Sequence, residues 1–499
     1  MILSRPAISV ACGVLGLCFS LAGPLLAEPP AGVPQPPIPL ELAPRLGLPF
    51  QDNAVLQQKI PLPVWGTSLP GASVTVAFGG QSKTATADVD GRWKVVLEPM
   101  NAVTLKSVND APEGMSMTVT CAKDGERAVA TIRNLLMGEV WLCAGQSNMA
   151  GAMRVPVADA DYPALRQLVS PKPEWVVCSP ENAAAFKRVC FFFARRVQRD
   201  ALVPLGIINA AVGGSRIESW LNEPPSAQGD HFKNLVGPIA GYGIRGLIWY
   251  QGESNADDRR GYQPKLESLI KGWRTAWSQA ASREADGPRS PFSVYFVQLP
   301  GIGVSATDDP AMGDGRAEIR QACVEALALE NTGMAITIDI GAVNEHPPNK
   351  FDTGERLARL ALHRDYGFDD LLPSGPVYKI HVVEGSAIRV RFDYAGSGLM
   401  VAEKTGMEPP VPLPEKSPGW LSIQSRDGAW HWADGRIEGA DLVVSSADVK
   451  EPVAVRYAYT NHPTPPLLYN SAGLPASPFT TGGYGPELQA KRSTPKRAP

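Results

Sequence analysis

Between about residues 136 and 368, short apolar strands recur with longer amphipathic segments between them. This alternation restricts the fold more than any other feature of the chain. The strands read Glu139-Val140-Trp141-Leu142, Leu205-Gly206-Ile207-Ile208-Asn209, Gly246-Leu247-Ile248-Trp249-Tyr250, Val294-Tyr295-Phe296-Val297 and Met334-Ala335-Ile336-Thr337-Ile338. Helices are predicted over 186–199, 263–276 and 316–329. Strand, helix, strand in repetition, with strands apolar almost throughout, is the pattern of a parallel sheet covered on both faces. The expected class is α/β.

On either side of this block the period changes to two. Ser73-Val74-Thr75-Val76-Ala77-Phe78 alternates and runs into Gly79-Gly80, a hairpin turn. Asp90-Gly91 gives a second hairpin signal, between 84–89 and 93–97, and Met117-Val119 marks a further strand. Residues 45–135 are therefore expected to form a small β-sandwich, with Trp65 and Trp93 in its core rather than on a sugar platform. Residues 136–370 form the α/β domain. Residues 371–481, where Ile388-Arg389-Val390-Arg391-Phe392 and Val453-Ala454-Val455 alternate, form a second small β-domain. The tail, 482–499, is expected to be disordered. The 48 glycines and 47 prolines fit a chain of many turns.

The first residues read as an address. Arg5 precedes an apolar run from Ala7 to Gly23, and Leu25-Leu26-Ala27 follows. A basic start, a short apolar core and a small-residue site predict a signal peptide, 1–27, cut near Ala27. The run is short for a membrane span of ~20 residues, so export to a periplasm or the outside is expected. A Pro-rich linker, 28–44, follows. No other stretch is long and apolar enough to span a bilayer as a helix. A net charge of -3 gives no basis for nucleic acid or an anionic membrane as partner. Cys121, Cys143, Cys178, Cys190 and Cys323 remain after cleavage, an odd set in which at least one is unpaired. None forms a CxxC pair, and no metal is suggested.

In an open α/β sheet, ligands bind beyond the carboxyl ends of the strands. Four such ends carry polar loops. Gly145-Gln146-Ser147-Asn148-Met149 puts a serine in a tight turn where its hydroxyl is exposed. Val212-Gly213-Gly214-Ser215 bares backbone amides that could approach an oxyanion. Gln251-Gly252-Glu253-Ser254-Asn255 runs straight from apolar strand residues into amide and carboxyl groups. Asn344-Glu345-His346-Pro347 places one of only six histidines after the last strand. Each loop alone reads as well as an ordinary turn.

Together they resemble the sialate O-acetylesterase branch of the SGNH (GDSL-like) hydrolases. GEVWLCAGQSNM (138–149), GLIWYQGESNA (246–256) and HPPNK with GERLA (346–358) are similar to that family's blocks in spelling and order. So are LPFQDNAVLQ (48–57) and LYNSAGLPASPF (468–479), so the resemblance spans nearly the whole mature chain. It implies an SGNH-type, flavodoxin-like three-layer domain and a carboxylic ester hydrolase acting on an acetylated sugar or glycan, most readily a 9-O-acetylated sialic acid. Ser147 would be the nucleophile and His346 the general base. The N–H groups of Ser147 and Gly214 would form the oxyanion hole, completed by Gln251 or Glu253, and no cofactor is implied. Family members usually carry an aspartate two or three residues before the histidine. Here Asn344 and Val343 stand there, and Glu345, the nearest acid, is expected to orient His346, with Asp339 and a backbone carbonyl as alternatives. An acetyl xylan or other polysaccharide esterase, and a noncatalytic carbohydrate-binding protein, remain the rival readings.

Overall fold

The structure, a computed structural model, describes residues 41–153, 160–222, 229–280, 291–303 and 308–483. The signal peptide, most of the Pro-rich linker and nearly all of the tail lie outside these residues. Strands β1 (Arg45–Leu46), β3 (Leu62–Thr67) and β6 (Arg92–Leu97) form one small antiparallel sheet. Strands β4 (Ser73–Phe78), β5 (Gln81–Thr86) and β7 (Met115–Lys123) form another, which continues into the long strand β8 (Glu126–Gly145). Side chains alternating inward from both sheets, among them Val64, Val74, Val76, Trp93, Val95 and Val119, share one apolar core. The Gly79-Gly80 hairpin joins β4 to β5 as expected. The Asp90-Gly91 turn does not pair its flanking strands, because β5 pairs β4 whereas β6 pairs β3. Asp88 Oδ1 accepts from the N–H groups of Asp90 and Arg92, so the turn carries the chain from one sheet to the other.

Strand β8 runs without a break through residues 135 and 136, where the composition changes. Its first half pairs β7, its middle pairs β2 (Val55–Gln57) and its last half is the central strand of the large sheet. The other members are β9 (Tyr162–Val169), β10 (Trp175–Cys178), β11 (Leu205–Ala211), β12 (Gly246–Tyr250), β13 (Ser293–Gln298) and β14 (Thr332–Ile336). Their spatial order is β10-β9-β11-β8-β12-β13-β14, parallel except for β10 at one edge. β12 and β14 are buried at every residue, as apolar strands covered on both faces must be. The longer helices are α2 (Arg188–Ala201), α3 (Tyr262–Ala280) and α4 (Gly315–Ala326), all at or near their expected positions, and α5 (Lys350–Asp365), which was not among the predicted helices.

Residues 377–480 return to antiparallel strands with a core of their own, which includes Ile388, Val390, Ile423, Val455 and Phe479. Cys121, Cys143, Cys178, Cys190 and Cys323 are buried and free. No described helix is long and apolar enough to cross a membrane.

Candidate active site

All the loops singled out from the sequence leave the carboxyl ends of parallel strands. Ser147 follows β8 directly, at the start of a single helical turn, α1 (Ser147–Ala150). Gly145 turns the chain there with φ +136°, and a Cβ on it would fall 2.0 Å from Tyr250 O. Only glycine fits this crossing, because a side chain would meet the backbone of β12. Gln146 N then donates to Tyr250 O at 3.0 Å, fixing the nucleophile loop against that strand.

His346 reaches the same point from the β14 side. Its Nε2 stands 2.9 Å from Ser147 Oγ, within the range of a nucleophile–base hydrogen bond. Behind it, Ala342 N donates to Gly301 O and Gly303 N to Ala342 O, so the base loop is tied to the loop after β13. The Gly213-Gly214 turn lies beside the serine: a Cβ on Gly213 would be 3.7 Å from Ser147 Cβ. Among the described residues, the N–H groups of Ser147 and Gly214 donate to no protein acceptor. Both are free to meet an oxygen.

The other candidates sit differently. Gln251 is buried, and its amide N–H groups face Asn255 Oδ1 (2.8 Å), Ser215 O (3.1 Å) and Gln146 Oε1 (3.2 Å). Its own oxygen accepts from Tyr262 O–H. It therefore braces three loops and has no donor left for an oxyanion. Glu253 is buried behind the serine loop, where Oε1 accepts from Asn148 Nδ2 at 2.5 Å and Oε2 has no partner among the described residues. Burial pushes its carboxyl above the usual carboxylate range, against the opposing pull of Asn148 and Lys350. The carboxylate of Glu345 is not brought to His346. It is mostly exposed and accepts from Arg316 Nη2 at 2.7 Å, since adjacent side chains on this loop point apart. Asp339 is held by both terminal nitrogens of Arg356, at 2.6 and 2.8 Å.

Two residues quoted within the motifs, but given no role from sequence, complete the cluster. Lys350, the first residue of α5, donates from Nζ to Asn148 Oδ1 at 2.6 Å. Asn148 Nδ2 also donates to the Glu345 carbonyl at 2.9 Å. Burial lowers the Lys350 ammonium to about 7, with nearby Glu253 opposing and Arg188 assisting the shift. The signal available was their place in the motifs: a polar side chain directly after the serine and a lysine four residues after the histidine. Among the described residues, no group of three or more His, Cys, Asp or Glu side chains converges as a metal site.

Residues 137–281, which include the serine turn and the Gln251–Asn255 loop, match the family described as carbohydrate esterase, sialic acid-specific acetylesterase. The sialate O-acetylesterases of Pongo abelii and Homo sapiens are 26% and 25% identical to the chain, each alignment covering 86% of it and 91% of the relative. A novel carbohydrate acetylesterase from Xanthomonas citri, known from its crystal structure, is 32% identical with a TM-score of 0.74. That match covers 88% of this chain and 99% of the other. The chain thus belongs to the sialate O-acetylesterase family of carbohydrate esterases, and it is a carboxylic ester hydrolase.

Proposed function

We propose that the protein removes O-acetyl groups from sugars by serine catalysis, with Ser147 as nucleophile and His346 as general base, and that its preferred substrates are 9-O-acetylated sialic acids. The observation that carries the mechanism is the 2.9 Å approach of His346 Nε2 to Ser147 Oγ beside two unengaged backbone amides. A serine hydroxyl is a weak nucleophile until an imidazole takes its proton. As Oγ bonds to the acetyl carbon, the carbonyl oxygen gains negative charge. The N–H groups of Ser147 and Gly214 meet that charge, each contributing about 3–4 kcal/mol. The imidazolium gives its proton to the departing sugar oxygen, and water then releases acetate by the same steps in reverse. With Glu345 on Arg316 and Asp339 on Arg356, the reading is a Ser–His dyad without a directly bonded acid.

The sugar preference rests on the names of the relatives. The fold details rest on strand order: without the β9–β10 pair, the parallel strands follow the sequence 2-1-3-4-5, the flavodoxin-like order expected of an SGNH-type domain. Regions 45–135 and 371–481 are taken as its flanking β-domains, and 1–27 as a cleaved export signal.

The test is acetate release from acetylated sialic acid, acetylated xylan and p-nitrophenyl acetate by the wild type, Ser147→Ala and Glu345→Gln. Ser147→Ala should be inactive yet folded. Glu345→Gln should keep kcat within about tenfold of wild type, far from the ~10⁴ loss when a triad acid is neutralised. Faster turnover of acetylated xylan than of the sialic acid would overturn the substrate assignment and leave the mechanism standing.

A further inference from the structure

Among the described residues, no group hydrogen-bonds the second ring nitrogen of His346, so the ring is not oriented from behind as in a triad. Its main chain is held instead. His346 N–H donates to Asn344 Oδ1 at 2.9 Å, and the carbonyl just before it, Glu345 O, accepts from Asn148 Nδ2 at 2.9 Å. Pro347 follows, buried and with a locked φ.

We propose that Asn148 is a positioning residue for His346: its side-chain amide clamps the peptide that carries the base, while Glu253 and Lys350 hold that amide in one orientation. This rests on the reading of His346 as the base. A primary amide can rotate by half a turn with little change of shape, but here the two states differ sharply. As placed, Nδ2 faces the Glu253 carboxyl and the Glu345 carbonyl, and Oδ1 accepts from Lys350 Nζ. Rotated, the oxygen would face the Glu253 carboxyl and the Glu345 carbonyl, setting acceptor against acceptor at both. Asn148, Glu253 and Lys350 are 2%, 6% and 3% exposed, so little water is present to soften that mismatch. Asn148 also follows Ser147 directly in the chain. One dipeptide therefore carries the nucleophile and grips the loop of its base, which sets their separation.

The experiment is a double-mutant cycle on the full chain with p-nitrophenyl acetate, using Asn148→Ala, His346→Ala and the pair. A misplacement of about 1 Å at a reacting group costs roughly 10²-fold. Asn148→Ala should accordingly lower kcat by about that factor with KM within about threefold. In the His346→Ala background the same substitution should cost less than about threefold, because an interaction acting through His346 is lost only once. Asn148→Asp, equal in size but lacking the donor, should be no better than alanine above neutral pH. Equal losses in both backgrounds, or a folded Asn148→Ala with kcat near wild type, would overturn the proposal. If Asn148→Ala does not fold, Lys350→Met takes its place in the cycle, with an expected loss of ~10-fold that again vanishes without His346. A His346→Ala enzyme that turns over normally would instead remove the base assignment itself.

Discussion

Lys350 is the residue whose ionisation the fold alters most usefully for a measurement. Burial holds its ammonium at about 7 against a reference of 10.5. Between those values the unfolded chain binds a proton at this site and the folded chain does not. Stability therefore rises with pH across that window, and levels off below 7, where the amine is charged in both the folded and the unfolded chain. Methionine fills a similar volume without titrating. The Tm advantage of wild type over Lys350→Met should consequently widen from pH 7 towards 10, by ~1–3 °C for a chain of this size. Buried tyrosines and thiols also titrate at the alkaline end, but they are common to both proteins and cancel in the difference. A difference in Tm that stays constant across the window would mean that Lys350 keeps its ordinary affinity for protons when folded.

At the level of elements, β8 organises the site, and its last turn tolerates almost no variation. In Gly145→Ala the new Cβ would fall 2.0 Å from a backbone oxygen of β12 at φ +136°. Strain and overpacking together should cost about 2–6 kcal/mol, visible as a lowered denaturant midpoint and loss of activity. Gly214 also has a positive φ, +71°, but nothing lies within 4 Å of its Cβ position. Gly214→Ala should therefore keep most of its stability. If the two variants prove equally stable, the crossing of β8 and β12 is looser than the distance implies. The same elements show what the sequence could reveal. The strands bearing the serine, the Gly-Gly turn and the Gln251–Asn255 loop were legible because each is a short apolar run ending in polar punctuation. The β9–β10 pair was not legible. Tyr162–Val169 contains Pro163 and a buried Arg166 whose guanidinium donates to Asn53 O and Asn134 O, so tertiary contacts override its composition. Asp90-Gly91 signals the turn but not the pairing of its arms, since local chemistry specifies the bend and not the sheet each arm joins. Ser147 and His346 stood out by residue type. The grip of Asn148 on the base loop did not, because an amide bridging residues 197 and 202 positions away leaves no local pattern.

Across the whole molecule, a buried cation is one of the links by which the C-terminal β-region reaches the site. Arg320 on α4 is fully buried and has no carboxylate partner among the described residues. Its nitrogens donate to Leu299 O, Pro300 O and Thr460 O, each at 2.7 Å, and to Asn461 O at 2.8 Å. Two of these carbonyls lie in the loop after β13 and two in the C-terminal β-region. Burial lowers its guanidinium to about 10, so it stays charged at neutral pH. The β13 loop continues to Gly301 and Gly303, which exchange hydrogen bonds with Ala342, four residues before the base. A line of contacts thus runs from Thr460-Asn461 through Arg320 to the loop of His346. Arg320→Lys tests it, because an ammonium has three donors on one atom and cannot reach four carbonyls spread around a planar fork. At least one buried carbonyl would be orphaned, at about 1–3 kcal/mol each, so Tm should fall. If the contacts position the base, kcat measured well below that lowered Tm should fall as well, with KM little changed. Were kcat to remain at the wild-type value in a destabilised but folded Arg320→Lys, the C-terminal region would stabilise the enzyme without setting the geometry of its active site.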